Sequence, residues 1–334
     1  MTNIVAFFIT ILIAFLAGSE SHAQTKVRIA FAAMRPQVSP LWVAQDQGFF
    51  TKYGINHELI FVRTAPVVVA AMASGDIQIG YTGGTAVLGA AAGGTDLKTL
   101  ASFTNRVTYD LVTRPEIKSP QDLRGKRFGV QSIGGTVWMG AILGLEHLGL
   151  EPVRDKINIL VVGDLTVLAQ ALAGGTIDAT VLDGFASRPL QETGFSVLAQ
   201  FSKVDLPLAF AGVVARNEYI DKNPSVIEGV LKAMLEGSAH ALSPNNKPST
   251  LASLKRRLRI GDRQTEEAYN DMLIALERKP YPSVLGLHNI QRLLKRLNPK
   301  VGKINIEDLI EDRFLRALDQ SGFIDKVLGS YGVR

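Results

Sequence analysis

The chain has 334 residues, a formal charge of +5, 46% hydrophobic and 20% charged residues, and no cysteine. That length allows two domains with separate cores in a soluble globular protein. The composition excludes disulfides, thiolate nucleophiles and cysteine metal sites. The five histidines (His22, His57, His147, His240, His288) show no zinc-site spacing, and no dense basic stripe with interleaved aromatics marks a nucleic-acid surface.

Residues 4–17 form an apolar run of signal-peptide length, too short to span a bilayer comfortably. Ser21 and Ala23 fit a peptidase site with cleavage before Gln24, although no positive charge precedes the run. Residues 1–23 are therefore expected to be a signal peptide. With no cysteine at the cleavage site for a lipid, a free periplasmic protein of a Gram-negative cell would result.

From residue 26 strands and helices alternate. A strand at 26–33 leads to a helix at 40–53, with Ser39 at its N-cap and Pro40 at its first position. A strand at 57–62, a helix at 66–73 ended by Gly75, a strand at 77–81, a helix at 85–92 capped by Thr85 and a strand at 97–104 follow. Such alternation predicts an open, mostly parallel α/β sheet.

The plan restarts after residues 119–126. Strands are predicted at 127–131, 157–162 and 177–182, and helices at 136–148, 165–173 and 184–192. Adding 100 to positions 71–84 matches Ala71 with Ala171, Ala73 with Ala173, Gly75 with Gly175, Ile77 with Ile177 and Gly84 with Gly184. Duplication and shared βα grammar both account for this, and both imply two lobes of one plan. An apolar strand at 206–215 and a helix at 223–242 come next, and helical patterns run to about residue 328. One strand followed by many helices reads as a return to the first lobe.

Four stretches in this order carry a family resemblance: Ser39-Pro40-Leu41-Trp42-Val43-Ala44-Gln45-Asp46-Gln47-Gly48-Phe49-Phe50, Ala73-Ser74-Gly75-Asp76-Ile77-Gln78-Ile79-Gly80, Asp122-Leu123-Arg124-Gly125-Lys126-Arg127-Phe128-Gly129-Val130, and Ala173-Gly174-Gly175-Thr176-Ile177-Asp178-Ala179. Over residues 26–240 the chain resembles the solute-binding proteins of nitrate, taurine and aliphatic-sulfonate importers, a family shared with thiamine-pyrimidine synthase-like proteins. The resemblance implies a type II periplasmic-binding-protein fold, α/β, with two hinged lobes of mixed sheets; here a helical C-terminal extension is added. It implies crossovers near 109–114 and 206–211, a first lobe of 25–110 plus 208–334, and a second of 111–207. It further implies capture of a small organic anion or zwitterion, sulfonate- or taurine-like, for delivery to an ABC permease and its ATPase. A monomer without catalysis or cofactor is expected. The enzyme branch carries a cysteine-rich motif that this chain lacks. Binding of a pyrimidine precursor, synthase-like catalysis and a periplasmic sensor role stand as alternatives.

Ligands of open α/β sheets sit beyond the carboxyl ends of the strands. In the first lobe the candidates are therefore Arg35, Gln37, Ser39, Trp42, Gly83, Gly84, Thr85 and Asn105. In the second they are Ser132, Gly134, Gly135, Thr136, Asp164 and Asp183. Gly-Gly-Thr at 83–85 and 134–136 follows a strand and opens a helix, so free N–H groups point at the cleft and the threonine caps the helix or presents its hydroxyl. The copies at 93–95 and 174–176 end helices. Arg35 offers a charge-assisted bond to an anion, or is an ordinary surface arginine. Asp164 and Asp183 either cap helices or receive an ammonium group. Trp42 and Trp138 wall the cleft, lock the lobes together or pack in the core. The basic run at 255–259 is a solvated helix face or a permease contact.

Overall fold

The computed structural model describes residues 26–333, so the expected signal segment lies outside the described residues. Strands β1 (Val27–Phe31), β2 (His57–Phe61) and β3 (Ile79–Thr82) are parallel. Beside β3 runs β10 (Pro207–Arg216), antiparallel to it, and β4 (Leu97–Arg106) pairs antiparallel with β10. The first sheet thus has the order β2-β1-β3-β10-β4.

The second sheet repeats this pattern. Strands β6 (Arg127–Val130), β7 (Asn158–Val161) and β8 (Ala179–Leu182) are parallel, and β5 (Asp110–Thr113) and β9 (Ser196–Gln200) complete the order β7-β6-β8-β5-β9. In each sheet the strand beside the parallel trio has just arrived from the other sheet. The chain crosses at 107–109, between β4 and β5, and returns at 201–206, between β9 and β10.

Three elements differ from expectation. Asp110–Thr113, predicted within a crossover, is a strand, because its four residues find antiparallel partners on both sides. Ser196–Gln200, outside the predicted elements, is the strand β9, while in each sheet four of the five strands run the same way and only the one arriving from the other sheet runs against them. The helix expected over 40–53 is two helices, Ser39–Asp46 and Phe49–Lys52, separated by Gly48 at φ +72°, a left-handed conformation that breaks the spiral.

The C-terminal helices cover the first sheet's outer strand. The backbone of Ser102 in β4 donates to Pro280 O, and Phe103 O and Thr99 O accept from Glu277 N and Glu311 N. An edge that would otherwise expose free backbone groups is thereby satisfied. The helix Pro224–Leu242 is anchored by Glu236, which accepts from Lys52, Tyr53 and Tyr331 at 2.6–2.9 Å. Among the described residues no helix is long and apolar enough to cross a membrane.

Candidate functional site

The carboxyl ends of the parallel strands in both sheets meet in one interlobe slot. Arg35 follows β1 and is only 5% exposed. Its guanidinium lies 5.2 Å from the Tyr109 ring centre and 4.7 Å from that of Phe210. Tyr109 belongs to the first crossing and Phe210 to the strand after the second, so aromatic rings beside both crossings hold this cation.

Asp183 sits behind Arg35, at the start of the second-lobe helix Gly184–Glu192, with 1% of its surface exposed. Burial pushes its carboxyl up to about 6; the Arg35 charge opposes this, and Asp271 and Asp110 add to it. Neither carboxylate oxygen accepts a protein hydrogen bond of normal geometry. Gln37 Oε1, Arg35 Nε and Tyr109 OH are likewise buried without a protein partner. Each such atom costs about 1–3 kcal/mol unless water or a ligand atom completes it.

The slot has three chambers. The central one, about 60 Å³, is lined by Arg35, Tyr81, Gly83, Ser132, Thr136 and Phe210, among others. A second of about 190 Å³ shares Arg35 and Gln131 with it and adds Arg63 and Asp164. A third of about 340 Å³ shares Ala65, Ser132 and Gly135 with the centre and adds Leu294 and Leu297. The helices Gly84–Ala92 and Thr136–His147, one per lobe, begin here, and the Thr85 and Thr136 hydroxyls lie 3.4 Å apart across the slot. Their amino ends direct backbone N–H groups and positive dipole ends at the centre, a setting that suits an anion. At Gly83 a Cβ would stand 2.7 Å from Phe210 O of its own lobe and 3.2 Å from Thr136 Oγ1 of the other, so glycine lets β10 lie close and leaves room for the facing threonine.

The helical extension also grips the second lobe. Asp271 accepts from Phe185 N at 2.7 Å and from Arg188 at 2.6 Å, and Arg263 pairs with Glu192. At another point Arg292 forms a two-pronged pair with Glu146 at 2.6 and 3.0 Å.

A family model described as NMT1/THI5 like matches residues 35–247, well over half of the chain. The chain belongs to the NMT1/THI5-like family. This NMT1/THI5-like chain is 27% identical to the taurine-binding periplasmic protein of Escherichia coli K12 over 234 residues, 67% of this chain and 71% of that protein. It is 26% identical over 219 residues to a putative binding protein of Brucella abortus, covering 63% of itself and spanning 65% of that relative's length. Its fold is shared with the periplasmic nitrate-binding protein of Synechocystis PCC 6803, at TM-score 0.73 and 15% identity over 93% of this chain and 92% of that one. A desulfurization enzyme also has this fold, at TM-score 0.65 and 14% identity over 88% and 99% of the two chains.

Against that background the expected site residues of the NMT1/THI5-like chain divide into two groups. Arg35, Gly83, Ser132, Gly135 and Thr136 line the central chamber, Asp164 the second, and Thr85 and Gly134 the third. Gln37, Ser39, Trp42, Gly84, Asn105 and Asp183 line none of the three. Trp42 is fully buried and meets Phe31 edge-on at 6.1 Å, in the first-lobe core. Gln37 donates to Thr108 Oγ1, and Asn105 donates to Tyr281 O, tying down the extension. Gly84 lies under Leu287 and Ile290, and Ser39 is buried.

Asp164 caps its helix, accepting from Thr166 N and Val167 N, whereas Asp183 makes no side-chain cap. Neither Thr85 nor Thr136 is an N-cap, because the helices begin after Gly83 and Gly135. In the basic run, Lys255 pairs with Asp262, and Arg256 and Arg257 pair with Asp46. Sequence reasoning missed Tyr81, Gln131 and Phe210. Tyr81 and Gln131 end predicted strands and were open to the same rule, but nothing local marks Phe210.

Proposed function

We propose that the chain is the periplasmic substrate-binding component of an ABC importer, a monomer that captures a small organic anion or zwitterion and hands it to a permease and its ATPase. The observation that carries this reading is the convergence of Arg35 and two opposed helix amino ends, one per lobe, on a single chamber. These groups recognise negative charge and need no covalent step. The lobes follow the two sheets, so the expected boundaries shift to the crossings at 107–109 and 201–206, through which the lobes hinge. The first lobe presents Arg35 and the Thr82-Gly83 backbone. The second then closes, bringing Ser132 and Thr136, and excludes water.

Relatives bearing binding-protein names support binding over catalysis. The lack of the synthases' cysteines points the same way. The test is thermal unfolding of ligand-stripped protein against alkanesulfonates, taurine, nitrate, aromatic carboxylates and pyrimidines. A bound class at about 100 times its dissociation constant stabilises the fold by about 2.7 kcal/mol. Stabilisation by an anion class supports the reading. Stabilisation by uncharged pyrimidines alone, or by nothing in the panel, overturns it.

A further inference from the structure

Arg35 lines the central chamber, but its charge also acts on a buried polar cluster that both lobes build. Gln37 comes from the first lobe and Asp271 from the extension helix Asp262–Ala275. Asp183 and Asp110 come from the second lobe, and Tyr109 from the first crossing. Gln37, Asp110 and Asp183 are at most 4% exposed.

The cations of this cluster are unevenly shared. Ser187 donates to Asp110, and Lys203 acts on the same carboxyl. Arg188 is committed to Asp271 at 2.6 Å and lies 3.7 Å from Glu267. Asp271 also holds the backbone N–H of Phe185. That leaves Arg35 as the cation that steadies Asp183, and Arg35 is itself held by the Tyr109 and Phe210 rings. With neither oxygen of Asp183 hydrogen-bonded, its charge is the least supported of these carboxyls.

An anion in the central chamber sets a second negative charge beside the same guanidinium. One cation cannot fully neutralise both, and like charges that share a site push the pKa of one of them up. Asp183, already poorly supported, is the group that yields. Building on the anion-capture reading, we infer that Asp183 is a proton site coupled to the ligand site: the anion binds Arg35 together with a proton that Asp183 takes up outside the chamber walls.

The direction of the coupling follows from the charges. Burial already holds the Asp183 carboxyl up at about 6 without ligand, and the anion moves it higher. Binding at neutral pH therefore takes up a proton, and by reciprocity the anion binds more tightly where Asp183 is already protonated. Affinity is full below about 6 and is lost as pH rises through that value. For two charges flanking one guanidinium the loss is about 10- to 100-fold. Among the described residues no histidine lines any of the three chambers, so the slot's walls supply no histidine titration in this range.

The test is isothermal titration of ligand-stripped protein with anions of fixed charge: nitrate, methanesulfonate and benzenesulfonate. Bis-tris and Tris, at constant chloride, are cationic buffers that do not compete for Arg35, and their different ionisation enthalpies report the protons exchanged. Binding near pH 7 should take up about half a proton or more per anion, and affinity should fall at least about tenfold from about pH 5.5 to about pH 8.5. Asp183→Asn should bind without proton uptake and change by less than about twofold over that range. Asp110→Asn should retain the uptake, although burial raises the Asp110 carboxyl too. If an anion binds with no proton exchange, or with proton release, the coupled site is overturned while anion capture stands. Uptake that persists in Asp183→Asn, or disappears only in Asp110→Asn, overturns the assignment to Asp183. If none of the anions binds at any pH, the anion reading falls and the proton site with it.

Discussion

Replacing Asp183 by asparagine should stabilise the protein at neutral pH. A carboxyl raised from the usual 3.8 to about 6 is held in its neutral form by about 3 kcal/mol. The attraction of Arg35 is already contained in that value, so burial outweighs the ion pair. Because the folded pKa lies above the unfolded one, the native state binds the extra proton between pH 3.8 and about 6. Stability is therefore lost as pH rises through that window. The Asp183→Asn variant has no such proton to lose. Its advantage over the native chain should grow from about 1 kcal/mol near pH 4.5 to about 3 kcal/mol near pH 7.5. Urea unfolding followed by tryptophan fluorescence reads this, since Trp42 and Trp138 are both buried, one in each lobe. A variant less stable than the native chain at neutral pH, or an advantage independent of pH, refutes the reasoning. It would mean that the Arg35–Asp183 attraction exceeds the cost of burial.

Arg35→Gln keeps the side chain's bulk and removes its charge; anion affinity should fall by about 10- to 150-fold, the value of a charged hydrogen bond, in calorimetric titration. Gly83→Ala puts a Cβ 2.7 Å from Phe210 O of its own lobe, so the ligand-free variant should be less stable than the native chain by about 1–3 kcal/mol in urea unfolding. Asp271→Asn weakens the contacts to Phe185 N and Arg188, so the ligand-free protein should be more expanded than the native one by small-angle scattering.

The βα grammar was legible because it is local. Turn glycines and apolar runs mark each strand and helix within about ten residues, and the offset of 100 between the two lobes could be read from letters alone. What was not legible depends on pairing across the chain. Nothing in Asp-Leu-Val-Thr at 110–113 announces a strand, since its partners are β8 and β9, some 70 to 90 residues away. Trp42 was a fair cleft candidate by position. The helix that carries it is overlaid by Pro224–Leu242, whose Gly237 lies directly on the Pro40 carbonyl, and this turns the indole into the core. Phe210, Leu294 and Leu297 reach the slot only because the chain returns to the first lobe. Thr85 was misread by one residue of helix boundary, which freed its hydroxyl for the slot.

The C-terminal extension, beyond the residues 35–247 that the family model matches, also shapes the site. It contributes two leucines to the third chamber and fastens the second lobe through Asp271, Arg263 and Arg292. The strength of that fastening matters. Glu192 and Arg263 are largely exposed, and Glu146 and Arg292 are partly so; pairs of this kind contribute about 0–1 kcal/mol each. Asp271 is better shielded and also holds a backbone N–H, so it is the strongest of the three. Together they bias closure by a few kcal/mol at most. Moving such an equilibrium from 1:99 to 99:1 takes about 5.5 kcal/mol of differential binding. On the proposed anion-capture function, the latch therefore leaves the decision to the ligand: an anion that engages both helix amino ends completes the closure, and its loss releases it. A tighter clamp of buried pairs would close the lobes without cargo and block release.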